Sequence, residues 1–222
     1  MSFGYVTLKT RVSQLFIAKT SIFVSAMAGS LALAGLRCFM NRKEAISLLA
    51  RRDLGTLSLE KRESLLLDWW SIDPDDPQYA SLPDPLRRML AHSDQPDDPT
   101  SALYNPLLQL ALEYSYIGVV NNYLSTQLAL PGKEVTVEGD VGDMEVCPCC
   151  RYRSLETGAS YDICGVCFWE DDGTTELHRH SGPNHQTLSD AQRNFRHLGA
   201  VTEASRQYVL ADGKNRYALM IP

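Results

Sequence analysis

The chain has 222 residues, a formal net charge of −6 at pH 7 and 22% charged residues, with 44% hydrophobic and 9% aromatic residues. These ordinary fractions exclude wholesale disorder. The negative balance argues against non-specific nucleic-acid binding, which needs basic patches to displace counterions from phosphate.

Lys9, Arg11 and Lys19 precede an apolar run from Ile22 to Leu36, and Ala32-Leu33-Ala34 has the shape of a signal-peptidase site. Residues 1–39 therefore read as an apolar N-terminal extension, either signal-like or sequence upstream of a natural start near Met40. The run is shorter than the roughly 20 residues a bilayer asks for, so a membrane role is expected only if residues 1–39 are retained. Arg37 rather than a small residue precedes Cys38, which argues against a lipoprotein site. The cytoplasm is the expected location, because free thiols belong in a reducing compartment; export is the alternative if the segment is a true signal.

Residues 40–130 read as a helical domain. A short helix is predicted over Arg42–Arg52, burying Ala45, Ile46, Leu48 and Leu49. Ser58 caps a second helix, with Glu60 in its first turn and Leu65, Leu66, Trp69 and Trp70 at helical spacing. Asp73-Pro74-Asp75-Asp76-Pro77 ends it, and a third helical piece runs from Pro85 to His92. Asn105-Pro106 is expected to open one long central helix reaching about Leu128, apolar nearly all round. Pro131-Gly132 breaks it, and Val135 and Val137 alternate with polar residues as in a short strand.

Residues 140–222 hold the most informative pattern, Cys147-Pro148-Cys149-Cys150 followed by Cys164-Gly165-Val166-Cys167. Two Cys-x-x-Cys pairs a short loop apart place four sulfurs for one tetrahedral ion, although the loop is slightly shorter than the zinc-ribbon spacing of roughly 15–20 residues. Cys147, Cys150, Cys164 and Cys167 are the candidate ligands of one structural Zn²⁺. Four ligands close the site, whereas a catalytic zinc keeps a position open. Downstream, Thr187-Leu188-Ser189-Asp190 reads as a capping box for a helix ending at Gly199. Asp212-Gly213 reads as a turn before a last strand, Tyr217–Ile221. The expected fold class is α+β: a helical N-terminal half, then a small zinc-ribbon or knuckle-type module with a C-terminal helix and short strands.

The stretch from Cys147 to Tyr152, with Tyr161-Asp162-Ile163-Cys164-Gly165-Val166-Cys167-Phe168-Trp169-Glu170-Asp171-Asp172-Gly173, resembles the bacterial cysteine-rich CPCC domain. Gly182, Asn184, Leu188, Ala191, Arg193, Asn194, Phe195, Gly199 and Ala200 extend the resemblance to roughly residues 140–205. It implies a fold and a bound metal more than an activity. This chain departs from that family's pattern at Arg151, where Gly is usual, at Gly165, where Pro is common, and at His185, where a small residue is usual.

No Gly-rich phosphate loop, nucleophile elbow or paired His/carboxylate set is present, so no catalytic residue is assigned. The leading expectation is a non-enzymatic, zinc-stabilised protein that binds another protein, with an immunity- or antitoxin-like role as one form. Trp169, Glu170, Asp171 and Asp172 are candidate partner-binding residues. A thiol-based redox or zinc sensor using Cys149 is the alternative, and a hydrolase using the loop from His178 through His180 to His185 is the third.

Overall fold

Asn41 ends the first strand and starts the first helix. In the computed structural model, which describes residues 36–92 and 95–221, β1 (Leu36–Asn41) runs into α1 (Arg42–Leu54), and the Asn41 side chain accepts hydrogen bonds from the amides of Lys43 (2.8 Å) and Glu44 (3.3 Å). An Asn at this position satisfies amides that a helix start leaves without partners. The signal-like features of the extreme N-terminus lie outside the described residues, but β1 begins upstream of Met40 and includes Leu36 to Phe39.

Strand β1 pairs in parallel with β2 (Lys133–Glu138), Cys38 lying opposite Val135 and Met40 opposite Val137. Among the described residues, the α-helices of the N-terminal half lie in the connection between these strands: α1, α2 (Leu59–Trp69), α3 (Asp84–His92), α4 (Asn105–Tyr114) and α5 (Asn121–Leu128). Ser58 caps α2 by accepting the Lys61 amide at 3.3 Å, as its sequence position predicts. Leu66 and Trp70 are buried with Leu82, Leu86, Tyr104, Leu107 and Leu108 in one cluster. Ala45, Leu49, Tyr116, Val119, Leu124 and Val137 form another between α1, α5 and β2. Along α1 the buried positions are Arg42, Ala45, Leu49 and Ala50, whereas Leu48 faces outward.

The single long helix expected from Asn105 to Leu128 is two helices. α4 stops at Tyr114, and the chain turns through Gly118, whose φ of 73° lies in the left-handed region. A Cβ there would stand 2.4 Å from Met144 Cγ, so this turn needs glycine for space as well as conformation. The buried Arg42 guanidinium holds the turn open. It donates to the carbonyls of Val119 (2.6 Å) and Tyr116 (3.1 Å) and to Asn121 Oδ1 (2.8 Å), replacing helical partners that a continuous helix would supply. The apparent all-round apolarity arises because α4 and α5 bury different faces. Asn105 is likewise not a cap: a 3-10 turn (Ala102–Tyr104) runs directly into α4, and Asn105 Oδ1 accepts from Arg62 at 2.7 Å.

The C-terminal half contains the hairpins β3 (Glu145–Val146) with β4 (Arg153–Leu155) and β5 (His180–Ser181) with β6 (Gln186–Thr187), then α6 (Leu188–Leu198) and the short α7 (Gly213–Arg216). Thr187 caps α6 by accepting the Asp190 amide at 3.2 Å, and Gly199 closes it in the left-handed conformation. Asp212-Gly213 begins α7 rather than a simple turn. The segment after it is extended, Ala218 O accepting from Arg153 N and Met220 N donating to Arg151 O, each at 2.9 Å. The mixed helix-and-strand class is therefore as expected.

The described residues from 36 to 221 belong to one compact unit, and its last segment joins the two halves. Val120 N donates to Arg216 O at 2.7 Å, and Tyr123 donates to Asp212. Arg216 lies over the rings of Tyr123 (5.3 Å) and Tyr116 (5.8 Å) while donating to Asp212 at 2.9 Å. Among the described residues, no helix is long and apolar enough to cross a membrane.

Candidate metal centre

Each Cys-x-x-Cys pair folds as a tight knuckle, and the two are built alike. In the first, Arg151 N donates to Cys147 O at 2.9 Å and Cys147 N to Tyr152 O at 2.9 Å; in the second, Phe168 N donates to Cys164 O and Cys164 N to Trp169 O, both at 2.8 Å. The residue after the last cysteine of each pair is left-handed, Arg151 at φ 70° and Phe168 at φ 68°. That conformation turns the chain so that both sulfurs of a pair face the same point. It also explains why glycine suits position 151, and His185, at φ 52°, stands at another such position.

The four sulfurs converge. All the Sγ atoms of Cys147, Cys150, Cys164 and Cys167 lie within 4.8 Å of one another, with Cys147 to Cys167 at 3.7 Å and Cys150 to Cys164 at 3.6 Å. A tetrahedral ion with metal–sulfur bonds of about 2.3 Å keeps its ligands roughly 3.8 Å apart. None of the six cysteines is in a disulfide. The residues present thus fit one four-coordinate metal ion, and all four ligands are buried.

Electrostatics favour a cation at this centre. Burial foremost pushes the Cys167 thiol up, while a hydrogen bond from Cys147, followed by those from Cys150 and Cys167, holds Cys164 well below its ordinary value. Four thiolates cannot share such a volume without a positive charge among them. Ser154 Oγ lies 2.9 Å from Cys164 Sγ, and the Val166 amide donates to the same sulfur at 3.4 Å. Such bonds spread charge from a metal-bound thiolate and fix its orientation.

Helix α6 holds the knuckles from one side. Gln192 donates to Pro148 O at 3.0 Å; Asn194 and Gln186 donate to Val201 O at 2.9 and 3.1 Å; and Val201 N donates to Cys167 O at 2.8 Å. Leu188, Ala191 and Val201 complete the small core with the cysteines, Leu155, Val166 and Trp169. On the other side Gly165 O accepts Leu210 N at 2.8 Å, and a Cβ at Gly165 would come within 2.9 Å of Leu210 Cδ1.

The remaining candidate residues fall in different places. Of the four candidate partner-binding residues, Trp169 is 0% exposed and Asp171 5%, so the side chains of these two lie inside the module. Asp171 instead shapes the loop before the second knuckle: its carboxylate accepts the Ala159 amide at 2.7 Å, where Ala159 has φ 58°. The backbone of Glu170 is clamped by Asn184, which accepts its amide at 3.0 Å and donates to its carbonyl at 2.7 Å. For Asp172, burial opposes the charge, but bonds from Thr174 and Ser181 outweigh it and hold the carboxyl below its ordinary value. Cys149 is buried, 4% exposed, and packs among the ligands. His178, His180 and His185 are exposed and belong to no metal-binding group among the described residues. Asn184 carries part of the family resemblance, but its clamp on Glu170 is a contact across fourteen residues that the sequence does not reveal.

Residues 145–215 match the family described as cysteine-rich CPCC, so this third of the chain carries a CPCC domain. The match runs past the expected limit near residue 205 to include most of α7. No curated protein and no solved structure matches the chain.

Proposed function

We propose that Cys147, Cys150, Cys164 and Cys167 hold one structural Zn²⁺, and that the chain acts by binding another protein rather than by catalysis. The observation that carries this reading is the closed, buried set of four converging sulfurs. An S₄ tetrahedral set suits zinc or iron, and zinc needs no redox partner. Four protein ligands leave no position for a substrate or an activated water, which separates this centre from the three-ligand arrangement of hydrolytic zinc. The small core of the module contains five cysteines, so much of its folding free energy is expected to come from the ion.

Binding of a protein is supported by the surface around the centre. Tyr161 (61% exposed), Ile163 (52%) and Tyr208 (61%) are large apolar side chains that the module leaves exposed to a partner. The net charge of −6 favours a basic partner, as in an immunity- or antitoxin-like protein that masks one.

Elemental analysis of the purified full chain tests the metal assignment, combined with circular dichroism before and after a strong chelator. One zinc per chain and loss of C-terminal structure on chelation are expected. Stoichiometric iron, or a metal-free chain that keeps its fold, overturns the reading.

A further inference from the structure

A cavity of about 200 Å³ opens on the seam between the helical half and the second knuckle. We propose that it takes a single arginine side chain presented by a partner protein. This deepens the protein-binding reading and rests on it.

The walls are aromatic and aliphatic: Tyr114 and Tyr217 with Ile117 and Ile163, the isoleucines 38% and 52% exposed at the rim. Its polar groups carry one sign. Glu156 and Asp162 line it, no lysine or arginine does, and among the described residues neither carboxylate has an ion-pair partner. Each carboxylate uses one oxygen internally, Glu156 Oε2 accepting from the Tyr114 hydroxyl and Asp162 Oδ2 from Thr157 N at 3.0 Å. The other oxygen of each has no protein donor among the described residues. The bond to Glu156, with burial and then the fields of Glu156, Asp162 and Asp76, pushes Tyr114 up to about 12.

The metal centre adds to the same field. Ser154 lines the cavity, and its hydroxyl touches Cys164 Sγ, so the thiolates lie directly behind the floor. A divalent ion with four thiolate ligands leaves the cluster net negative. The cavity is smaller than the roughly 300–1,000 Å³ of sites for drug-sized ligands, which matches one side chain rather than a free metabolite. Arginine suits it better than lysine, because a planar guanidinium both stacks on tyrosine faces and spans two acceptor oxygens.

The test uses the full, zinc-loaded chain and NMR of the Tyr114, Tyr217, Ile117 and Ile163 side chains. The probes are a short peptide with one central arginine, its citrulline counterpart and free N-acetyl-argininamide. The arginine peptide should shift these signals saturably. The arginine peptide should bind Glu156→Gln or Asp162→Asn about threefold to fivefold more weakly, as the loss of one partly exposed charge pair implies, and the citrulline peptide, which loses both pairs, should bind about tenfold more weakly. Both variants keep an oxygen for the internal hydrogen bond, and unchanged zinc content shows that they fold. Equal binding by the citrulline peptide, or no shift at these four residues, overturns the cavity assignment. Shifts confined to another surface overturn it too, while leaving the protein-binding reading standing. Argininamide should shift the same four signals, because it carries the whole side chain that the cavity takes; no shift by argininamide where the peptide shifts them would overturn the cavity assignment.

Discussion

Arg151 and Phe168 occupy equivalent positions in the two knuckles, each left-handed at φ 70° and 68° and each following a ligand cysteine. Their side chains make the two positions unequal. Arg151 is exposed, whereas the ring of Phe168 stacks on Tyr208 with centroids 5.1 Å apart. A non-glycine residue pays about 1–2 kcal/mol for this conformation, partly offset by the smaller entropy of its unfolded chain. Arg151→Gly is therefore expected to stabilise the zinc-loaded protein by about 0.5 kcal/mol. Phe168→Gly gains the same relief but loses ring burial and stacking, and should destabilise by about 1–2 kcal/mol. Urea unfolding at fixed zinc concentration measures both. A loss of stability in Arg151→Gly would show that the arginine makes a contact that offsets its strained backbone.

The five clustered cysteines are expected to divide into four ligands and one bystander. Cys150→Ser removes a sulfur from the set, so the variant should retain well under one zinc per chain and lose structure in the C-terminal half. Cys149→Ser should keep full zinc occupancy. Its cost should be about 1–3 kcal/mol, because a hydroxyl replaces a thiol at a site only 4% exposed. Metal-to-protein ratios after gel filtration decide the matter, and zinc loss in Cys149→Ser would place that sulfur in the coordination shell.

The convergence of the four cysteines was legible because Cys-x-x-Cys spacing is a local property: a knuckle of a few residues carries its own geometry. Ser58, Thr187 and Gly199 were legible for the same reason, since a cap acts on amides or carbonyls within one turn. The break between α4 and α5 was not. Its cause is Arg42, more than seventy residues upstream, which inserts its guanidinium among carbonyls of the turn. Gly118 was the one local sign. The burial of Asp171 was hidden for a related reason, as an acidic run reads as a solvated surface until the loop that it caps folds over it.

Arg42 should therefore be a stability determinant with no role at the metal. Burial lowers its affinity for a proton, with Asp140 opposing, and its donors satisfy two backbone carbonyls and Asn121. Arg42→Met keeps much of the apolar stem but leaves the carbonyls of Tyr116 and Val119 without that partner. A destabilisation of about 3 kcal/mol is expected. Zinc stoichiometry should be unchanged in the fraction that folds. Denaturation followed by tryptophan fluorescence, together with metal content, separates the two effects, and a loss below about 1 kcal/mol would mean that water replaces the guanidinium at no great cost.

The seam between the halves should respond to acid through Asp212. Burial works to raise its pKa, but the Tyr123 hydroxyl and Arg216 outweigh it and hold the carboxyl below its ordinary 3.8. A carboxyl whose folded-state pKa is depressed adds stability that is fully present above the unfolded value and is lost as pH falls through the folded one. Asp212→Asn removes that contribution while keeping an oxygen for the Tyr123 hydroxyl. The wild type should thus be more stable than the variant at neutral pH, with a gap that stays constant down to the ordinary carboxylate range and closes below it. Acid also protonates the cysteine ligands, but it does so in both proteins, so the difference between their urea midpoints isolates Asp212. A gap that persists unchanged at pH 3 would show that the asparagine disturbs packing at the seam and that the carboxylate charge is not what ties Arg216 and Tyr123 together.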